Sequence, residues 1–196
     1  ELGEADSFIY DLPVNGKVIR IDIDPARFCD AFPAHIAIQG DAGSACAQLL
    51  DALEGLDITQ APTDVVAELD QLRAAQQAAY TDVEKQHIHL LDILREELPD
   101  DAVIMGDIAQ LVYTGTAAMK TLQPRTWFYP AGFGTLGCAL PDAIGAKLAL
   151  PDRTVIALVG DGGFMMTSQE LATAKQYGGK PVILVFDNGM FGTIRA

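Results

Sequence analysis

The amino-acid sequence predicts an α/β fold built on a doubly wound, mostly parallel sheet, and three observations carry that prediction. Two short runs rich in β-branched residues, Thr154 to Val159 and Pro181 to Phe186, read as strands buried on both faces, the pattern of a parallel sheet covered by helices. Each run closes in turn-forming residues with an oxygen-bearing side chain, Gly160-Asp161-Gly162 in the first case and Asp187-Asn188-Gly189 in the second. The separation of the two side chains, 188 − 161 = 27 positions, leaves room for one loop, one helix and one strand. Such a crossover brings Asp161 and Asn188 to one edge of the sheet, where open α/β sheets bind ligands.

The elements follow in order. Lys17 to Ile23 alternates into a strand that ends in Asp22-Ile23-Asp24-Pro25. A short helix is expected over Ala26 to Phe32, a strand over His35 to Ile38 and an amphipathic helix over Ala42 to Leu53. Thr59 to Asp64 reads as a break. Val65 to Tyr80, rich in Ala, Gln and Glu, reads as a surface linker helix. A second unit then opens with a helix over Ile88 to Leu98, a strand over Ala102 to Gly106 and a helix over Gln110 to Lys120. A further helix spans Leu140 to Leu150, with Pro141 near its first turn and Gly145 and Ala146 small enough for close packing on the sheet. Thr167 with Glu170 suggests a capping box, Glu170 to Tyr177 the helix it starts, and Gly178-Gly179 with Pro181 its stop. The domain limits expected are 1–57, a linker over 58–85, and 86–196.

The chemistry of the strand-end residues points to a ligand. A carboxylate and a carboxamide are hard oxygen donors suited to Mg²⁺ or Ca²⁺. Mg²⁺ takes about six oxygens, and usually only one or two come from side chains while substrate phosphates and water supply the rest. Gly162 and Gly163 have no side chains to obstruct an anion approaching their N–H groups. A phosphate-bearing ligand clamped by a divalent cation is the expectation.

These residues also carry a family resemblance. Gly160-Asp161-Gly162, a spacer of some two dozen residues and Asp187-Asn188 resemble the thiamine-diphosphate signature, in which Gly-Asp-Gly is followed by Asn-Asn. Upstream, Gly132-Phe133-Gly134-Thr135-Leu136-Gly137 and Leu140-Pro141-Asp142-Ala143-Ile144-Gly145-Ala146 resemble the preceding segment of acetolactate synthase-like enzymes. Two blocks in register are far more specific than either alone. The resemblance covers roughly Lys17 to Ala196.

The resemblance implies an incomplete thiamine-diphosphate-binding fold preceded by the C-terminal part of a Rossmann-like central domain, with FAD or ADP as possible ligands of that central domain. It makes Asp161, Asn188 and the backbone carbonyl of Met190 the Mg²⁺ ligands. It makes Gly162 and Gly163 the diphosphate donors, with Gln110 nearby. Leu136 becomes the wedge between the cofactor rings, and the backbone of Gly134 and Leu136 meets the aminopyrimidine. The wedge matters because the 4′-amino group must reach the thiazolium C2 proton, and enforced proximity lowers the entropic cost of removing it. The implied activity is that of a carboligase or decarboxylase acting on a 2-oxo acid, in a homo-oligomer. Alternatives are a benzoylformate decarboxylase-like lyase and a non-catalytic, regulatory relative.

This chain departs from the family pattern in three places. Asp187 stands where the first Asn is usual, Asp107-Ile108-Ala109-Gln110-Leu111 replaces a Gln-His pair, and no segment resembles the pyrimidine-binding domain that carries the activating Glu. No catalytic residue is therefore expected within these 196 residues, which offer room for one domain and part of another. A fragment that is inactive alone is the expectation. A plain NAD-dependent dehydrogenase is the remaining rival. Gly132, Gly134 and Gly137 have the spacing of its fingerprint, but the preceding run, Trp127 to Ala131, is short and contains Pro130.

Composition excludes other classes. With 27 acidic and 13 basic side chains and a net charge of −14, the chain lacks the basic patch that nucleic acid or an anionic membrane would require. No apolar run approaches the roughly 20 residues of a membrane span, and no signal peptide is apparent at the N-terminus. Cys29, Cys46 and Cys138 lack metal-ligand spacing and read as reduced core thiols of a cytoplasmic protein. His87 and His89, two apart at an expected helix start, cannot share a helical face. Met165 and Met166 are expected to pack beneath the Gly-Asp-Gly loop, whereas Met190 and Phe191 are candidates to line the pocket beside the thiazolium.

Overall fold

The computed structural model describes residues 16–29, 33–56, 65–190 and 192, which fall into two compact units, 1–69 and 70–196. In the first unit two strands pair in parallel, β1 (Ile19–Asp22) with β2 (Ile36–Gln39), Ile19 opposite Ile36. A 3₁₀ turn (Pro25–Cys29) follows β1, and α1 (Ala42–Leu53) follows β2. Asp41 caps α1, its carboxylate accepting the Ser44 N–H at 2.9 Å. The expected break at Thr59 to Asp64 lies outside the described residues, as does the end of the helix expected over Ala26 to Phe32.

The linker region holds two helices, α2 (Val65–Ala79) and α3 (Asp82–Glu97). No residue of α2 is buried, in agreement with a surface helix. The start expected for α3 at Ile88 is six residues late. Thr81 and Glu84 form a capping box, in which the Thr81 side chain takes the Glu84 N–H and Glu84 takes the Thr81 N–H at 2.7 Å. His87 therefore lies inside the helix, where its Nδ1 meets Thr114 Oγ1 at 3.0 Å. Burial lowers its pKa, the main effect, against a smaller opposite pull from Glu84.

The second unit is organised by a four-stranded parallel sheet in the order β4-β3-β5-β6, comprising β3 (Val103–Gly106), β4 (Trp127–Phe128), β5 (Val155–Gly160) and β6 (Val182–Phe186). The chain runs outward from β3 to β4, then returns to β5 on the other side of β3. That reversal places a topological switch point between β3 and β5, the position where such sheets open a ligand crevice. Ile104, Ile156 and Leu158 face α3 and α4 (Gln110–Ala118) through Leu91, Leu111 and Val112. Val103, Val155, Ala157 and Val159 face the opposite layer through Ala139 and Ala143 of α5 (Ala139–Ala149). The alternation follows from the two-residue period of a strand, and five of the six β5 residues are buried.

Several local expectations need correction. Gly145 of α5 does not pack on the sheet: it is exposed, and an added Cβ would meet nothing within 4 Å. Ala139, Ala143 and Ala146, spaced by three and four, form the packing face instead. Thr167 and Glu170 form no capping box. Asp161–Thr167 is itself helical (α6), Ser168 and Gln169 keep helical dihedrals, and α7 (Glu170–Tyr177) follows with no extended residue to serve as a cap. The expected stop is present, Gly178 closing α7 at φ 79°. Cys29 and Cys46 are exposed, not core thiols. Met165 and Met166 are 74% and 54% exposed, because α6 turns them away from the sheet rather than beneath the strand end. No helix among the described residues is long and apolar enough to cross a membrane.

Candidate functional site

Every strand of the second unit delivers a candidate residue at its C-terminal tip. β3 leads to Asp107 and Gln110, β4 to the glycine-rich loop 132–137, β5 to Asp161 and β6 to Asp187 and Asn188. In the β5–β6 register Gly160 lies opposite Phe186, so Asp161 and Asn188 follow, one and two residues on, from neighbouring strand ends. Adjacent strands are about 4.8 Å apart. The crossover expected from the spacing is present, α6 and α7 joining the two strands.

The Gly-Asp-Gly segment is not the loop expected. The strand passes directly into α6, with Asp161 its first residue and Gly160 as N-cap at φ −75°. No side chain caps this helix. Gly163 is buried, and a Cβ there would lie 2.8 Å from Asp107 Oδ2. Only a hydrogen at this position lets the first turn of the helix sit on that carboxylate.

The Asn188 loop is braced from two sides. Asn188 Oδ1 accepts the Met190 N–H at 3.1 Å, the Met190 carbonyl accepts the Gly192 N–H at 3.0 Å, and Gly189 takes the left-handed φ of 63° that the turn needs. Asp187 turns into its own backbone, Oδ1 accepting the Gly189 N–H at 2.8 Å. Gln110 reaches across from α4: it donates to the Gly192 carbonyl at 3.2 Å and accepts from Asn188 Nδ2 at 3.3 Å. Gln110 is thus a brace for this loop in the structure. Phe191 lies outside the described residues, and Met190 is exposed.

The glycine-rich loop after β4 is held more tightly still. Gly134 and Gly137 have φ of 59° and 85°, and Leu136 between them is half-buried. Gly137 donates its N–H to both oxygens of Asp107 at 2.9 Å, and its carbonyl accepts from Thr167 Oγ1 at 2.8 Å. Asp107 is 1% exposed and also accepts the N–H groups of Ile108 and Ala139. Its burial raises the carboxyl pKa, an effect these donors only partly oppose. Sequence reasoning noted Asp107 merely as part of a departure from the family pattern. An acid directly after a buried strand was the available signal.

The donor set suits a divalent cation bound together with phosphate. Asp161 and Asn188 are hard oxygen donors on neighbouring tips, and the Asn188 and Met190 carbonyl oxygens each keep a second lone pair. Among the described residues no cluster of three His, Cys, Asp or Glu side chains could hold a metal without such a partner. The space that a side chain would fill at Gly163 is taken by the Asp107 carboxylate and not left open for an anion, which corrects the reason expected for a glycine there. In the first unit, Asp22 and Asp24 cap their own turn, accepting the N–H groups of Asp24 and Ala26 at 2.9 and 3.0 Å, so the strand-end acids there read as turn formers.

Comparison with known proteins converges on one group. Residues 107–196 match the family described as "Thiamine pyrophosphate enzyme, C-terminal TPP binding domain". The chain is 42% identical over 196 residues to a probable 2-ketoarginine decarboxylase of Pseudomonas aeruginosa, covering 100% of this chain and 35% of that protein. It is 37% identical over 186 residues to a probable acetolactate synthase large subunit of Methanocaldococcus jannaschii, covering 91% and 31%. A solved thiamine diphosphate-dependent 4-hydroxybenzoylformate decarboxylase of Rhodococcus jostii superposes with a TM-score of 0.68 at 26% identity, covering 94% of this chain and 33% of that one. The chain thus spans about a third of the length of the curated relatives it matches. With their strand-end acid, braced carboxamide loop and glycine-rich turn around one sheet edge, residues 107–196 belong to the family of thiamine pyrophosphate enzyme C-terminal TPP binding domains.

Proposed function

We propose that the complete protein is a thiamine-diphosphate- and Mg²⁺-dependent carboligase or decarboxylase of 2-oxo acids, acetolactate synthase-like, and that this chain supplies its diphosphate and metal grip. The observation that carries the proposal is the placement of Asp161 and Asn188 on adjacent parallel strand ends. Asp161, the Asn188 side chain and the Met190 carbonyl would hold Mg²⁺, and the N–H groups of Gly162 and Gly163 the diphosphate. Gln110 would keep Asn188 in place. Leu136, with the backbone of Gly134, would set the angle between the cofactor rings. When bound, thiamine diphosphate would supply a nucleophilic carbon and an electron sink for a carbanion.

The protein's own work at this edge is electrostatic and steric. A divalent ion held there would neutralise diphosphate charge at a sheet edge that carries Asp161 and Asp187 on a chain of net charge −14. A small aliphatic 2-oxo acid and a guanidinium-bearing one, the latter motivated by the name of the P. aeruginosa relative, are the substrates to assay first. A homo-oligomer in the cytoplasm, with the activating Glu contributed from a pyrimidine-binding domain, completes the reading. Absence of that Glu from the full gene would favour the non-catalytic alternative.

The test is calorimetric titration of the full-length protein and its Asp161→Ala variant with thiamine diphosphate and Mg²⁺. Even partners of metal ligands typically cost 10–100-fold in affinity when removed, so a loss of at least about tenfold is expected for a direct ligand. Indistinguishable affinities would refute the metal assignment.

A further inference from the structure

Asp107 is the one fully buried carboxylate among the described residues, and none of the roles assigned above uses it. Among the described residues it forms no side-chain ion pair, and its partners there are backbone N–H groups: Ile108 at 2.7 Å, Gly137 at 2.9 Å on both oxygens, and Ala139. Ionised groups are costly to bury unless hydrogen-bonded, and charge-assisted bonds to backbone N–H groups are among the strong ones. Each partner sits on a different part of the site. Ile108 starts the connection to Gln110, Gly137 ends the Leu136 turn, and Ala139 opens α5.

The same carboxylate also forms the floor under α6. A Cβ at Gly163 would meet Asp107 Oδ2 at 2.8 Å and Cγ at 3.0 Å, and one at Gly137 would meet Met166 Cβ at 2.9 Å and the Gly163 carbonyl at 3.2 Å. Thr167 at the end of α6 completes the contact by donating to the Gly137 carbonyl. The Leu136–Gly137 turn and the Gly162–Gly163 turn are therefore packed onto one side chain. Moving Asp107 moves both.

We propose that Asp107 is a positioning residue that holds the Leu136 turn in register with the first turn of α6. It would thereby fix the cofactor's rings relative to its diphosphate, while touching neither. The inference rests on the cofactor assignment of the preceding section. Loss of the carboxylate should loosen the ring wedge more than the diphosphate grip, because the proposed metal ligands Asp161 and Asn188 hang from β5 and β6, whereas Asp107 follows β3.

The experiment uses the full-length protein with Asp107→Asn, Asp107→Ala and Thr167→Val. Asp107→Asn keeps volume and replaces one acceptor oxygen by a donor that opposes the N–H groups; Thr167→Val removes the second half of the Gly137 clamp and remains informative if the buried changes impair folding. Two quantities are compared: affinity for thiamine diphosphate with Mg²⁺ by calorimetry, and the rate of C2–H exchange of the bound cofactor in D₂O by proton NMR after acid quench. The expected result is a split, with exchange slowed at least about tenfold in Asp107→Asn while affinity changes less than about fivefold. A misplaced reacting group can cost 10²-fold without loss of binding. Thr167→Val should show the same split at smaller size. Exchange within twofold of the wild type in the variants that fold, or equal losses of exchange and affinity, would overturn the positioning role. Failure of the wild type itself to bind the cofactor would overturn the underlying assignment as well, and so is distinguishable.

Discussion

Gly163→Ala should destabilise the second unit although alanine is the better helix former. The added methyl would sit 2.8 Å from Asp107 Oδ2, closer than ordinary van der Waals contact by roughly half an ångström. Relief requires the carboxylate or the first turn of α6 to move by that amount. The carboxylate is not free to do so, because its bonds to Ile108 and Gly137, now 2.7 and 2.9 Å, would lengthen past the useful range. Overpacking costs about 1–3 kcal/mol, and weakening a charge-assisted bond adds up to about 1.5–3 kcal/mol. The helix-propensity gain of about 1 kcal/mol opposes this. The net expectation is a loss of about 1.5–5 kcal/mol.

Gly160→Ala, three residues away, is the matched control. Its Cβ would meet only Ala109 Cβ at 3.7 Å, and its φ of −75° suits any residue, so it should lie within about 1 kcal/mol of the parent. The assay is urea unfolding followed by the fluorescence of Trp127, the single tryptophan of the chain, which is partly buried against the core of the second unit and so reports on that unit. A Gly163→Ala midpoint no lower than that of Gly160→Ala would refute the claim that the Asp107 carboxylate is immovable.

Two further predictions concern the glycine-rich segment. Leu136→Ala in the full-length protein should lower kcat while leaving cofactor affinity nearly unchanged, because it removes a steric wedge and no donor; steady-state kinetics with a 2-oxo acid checks this, and an unchanged kcat would contradict the wedge. Cys138, by contrast, should be the slow thiol. Burial, then the Asp107 and Asp142 carboxylates, push its pKa from 9.0 up to about 12, so at pH 8 its thiolate fraction is on the order of 10⁻⁴ rather than 10⁻¹. Mass-spectrometric readout of iodoacetamide labelling should show exposed Cys29 and Cys46 modified first, with Cys138 modified only on unfolding. The sign for stability follows: the raised pKa means that the neutral thiol's contribution is complete below pH 9 and is lost as pH rises toward 12.

Much of this architecture was legible in the sequence for identifiable reasons. β5 was readable because a strand buried on both faces leaves an uninterrupted apolar run; β6 carries the same kind of run, but at the edge of the sheet none of its residues is buried, which corrects the expectation of a strand covered on both faces. The crossover was readable because 27 positions admit little else between two such strands. α1 matched its expected limits from Ala42 to Leu53 because its pattern is amphipathic and its cap is local. Where a signal depends on geometry beyond a few residues, the reading failed. Thr167 and Glu170 have the letters of a capping box, yet the chain never extends at Thr167, whose hydroxyl is drawn to Gly137 thirty positions away. The true box at Thr81 and Glu84 lies ahead of a mostly polar first stretch, Asp82 to His87, so the apolar pattern marks the helix only from Ile88.

By itself the sequence determined which chemistry the sheet edge can offer. Two hard oxygen donors at strand ends and glycines beside them are properties of residue type and spacing. Tertiary structure alone decided how those parts are held. That Asp107 lies beneath Gly163 and ties down Gly137, and that Gln110 braces Asn188 from 78 positions away, depends on the strand order β4-β3-β5-β6. Local periodicity records which residues are buried and which turn, but the order of strands is fixed only when helices pack on both faces, because that packing energy is shared by residues far apart along the chain.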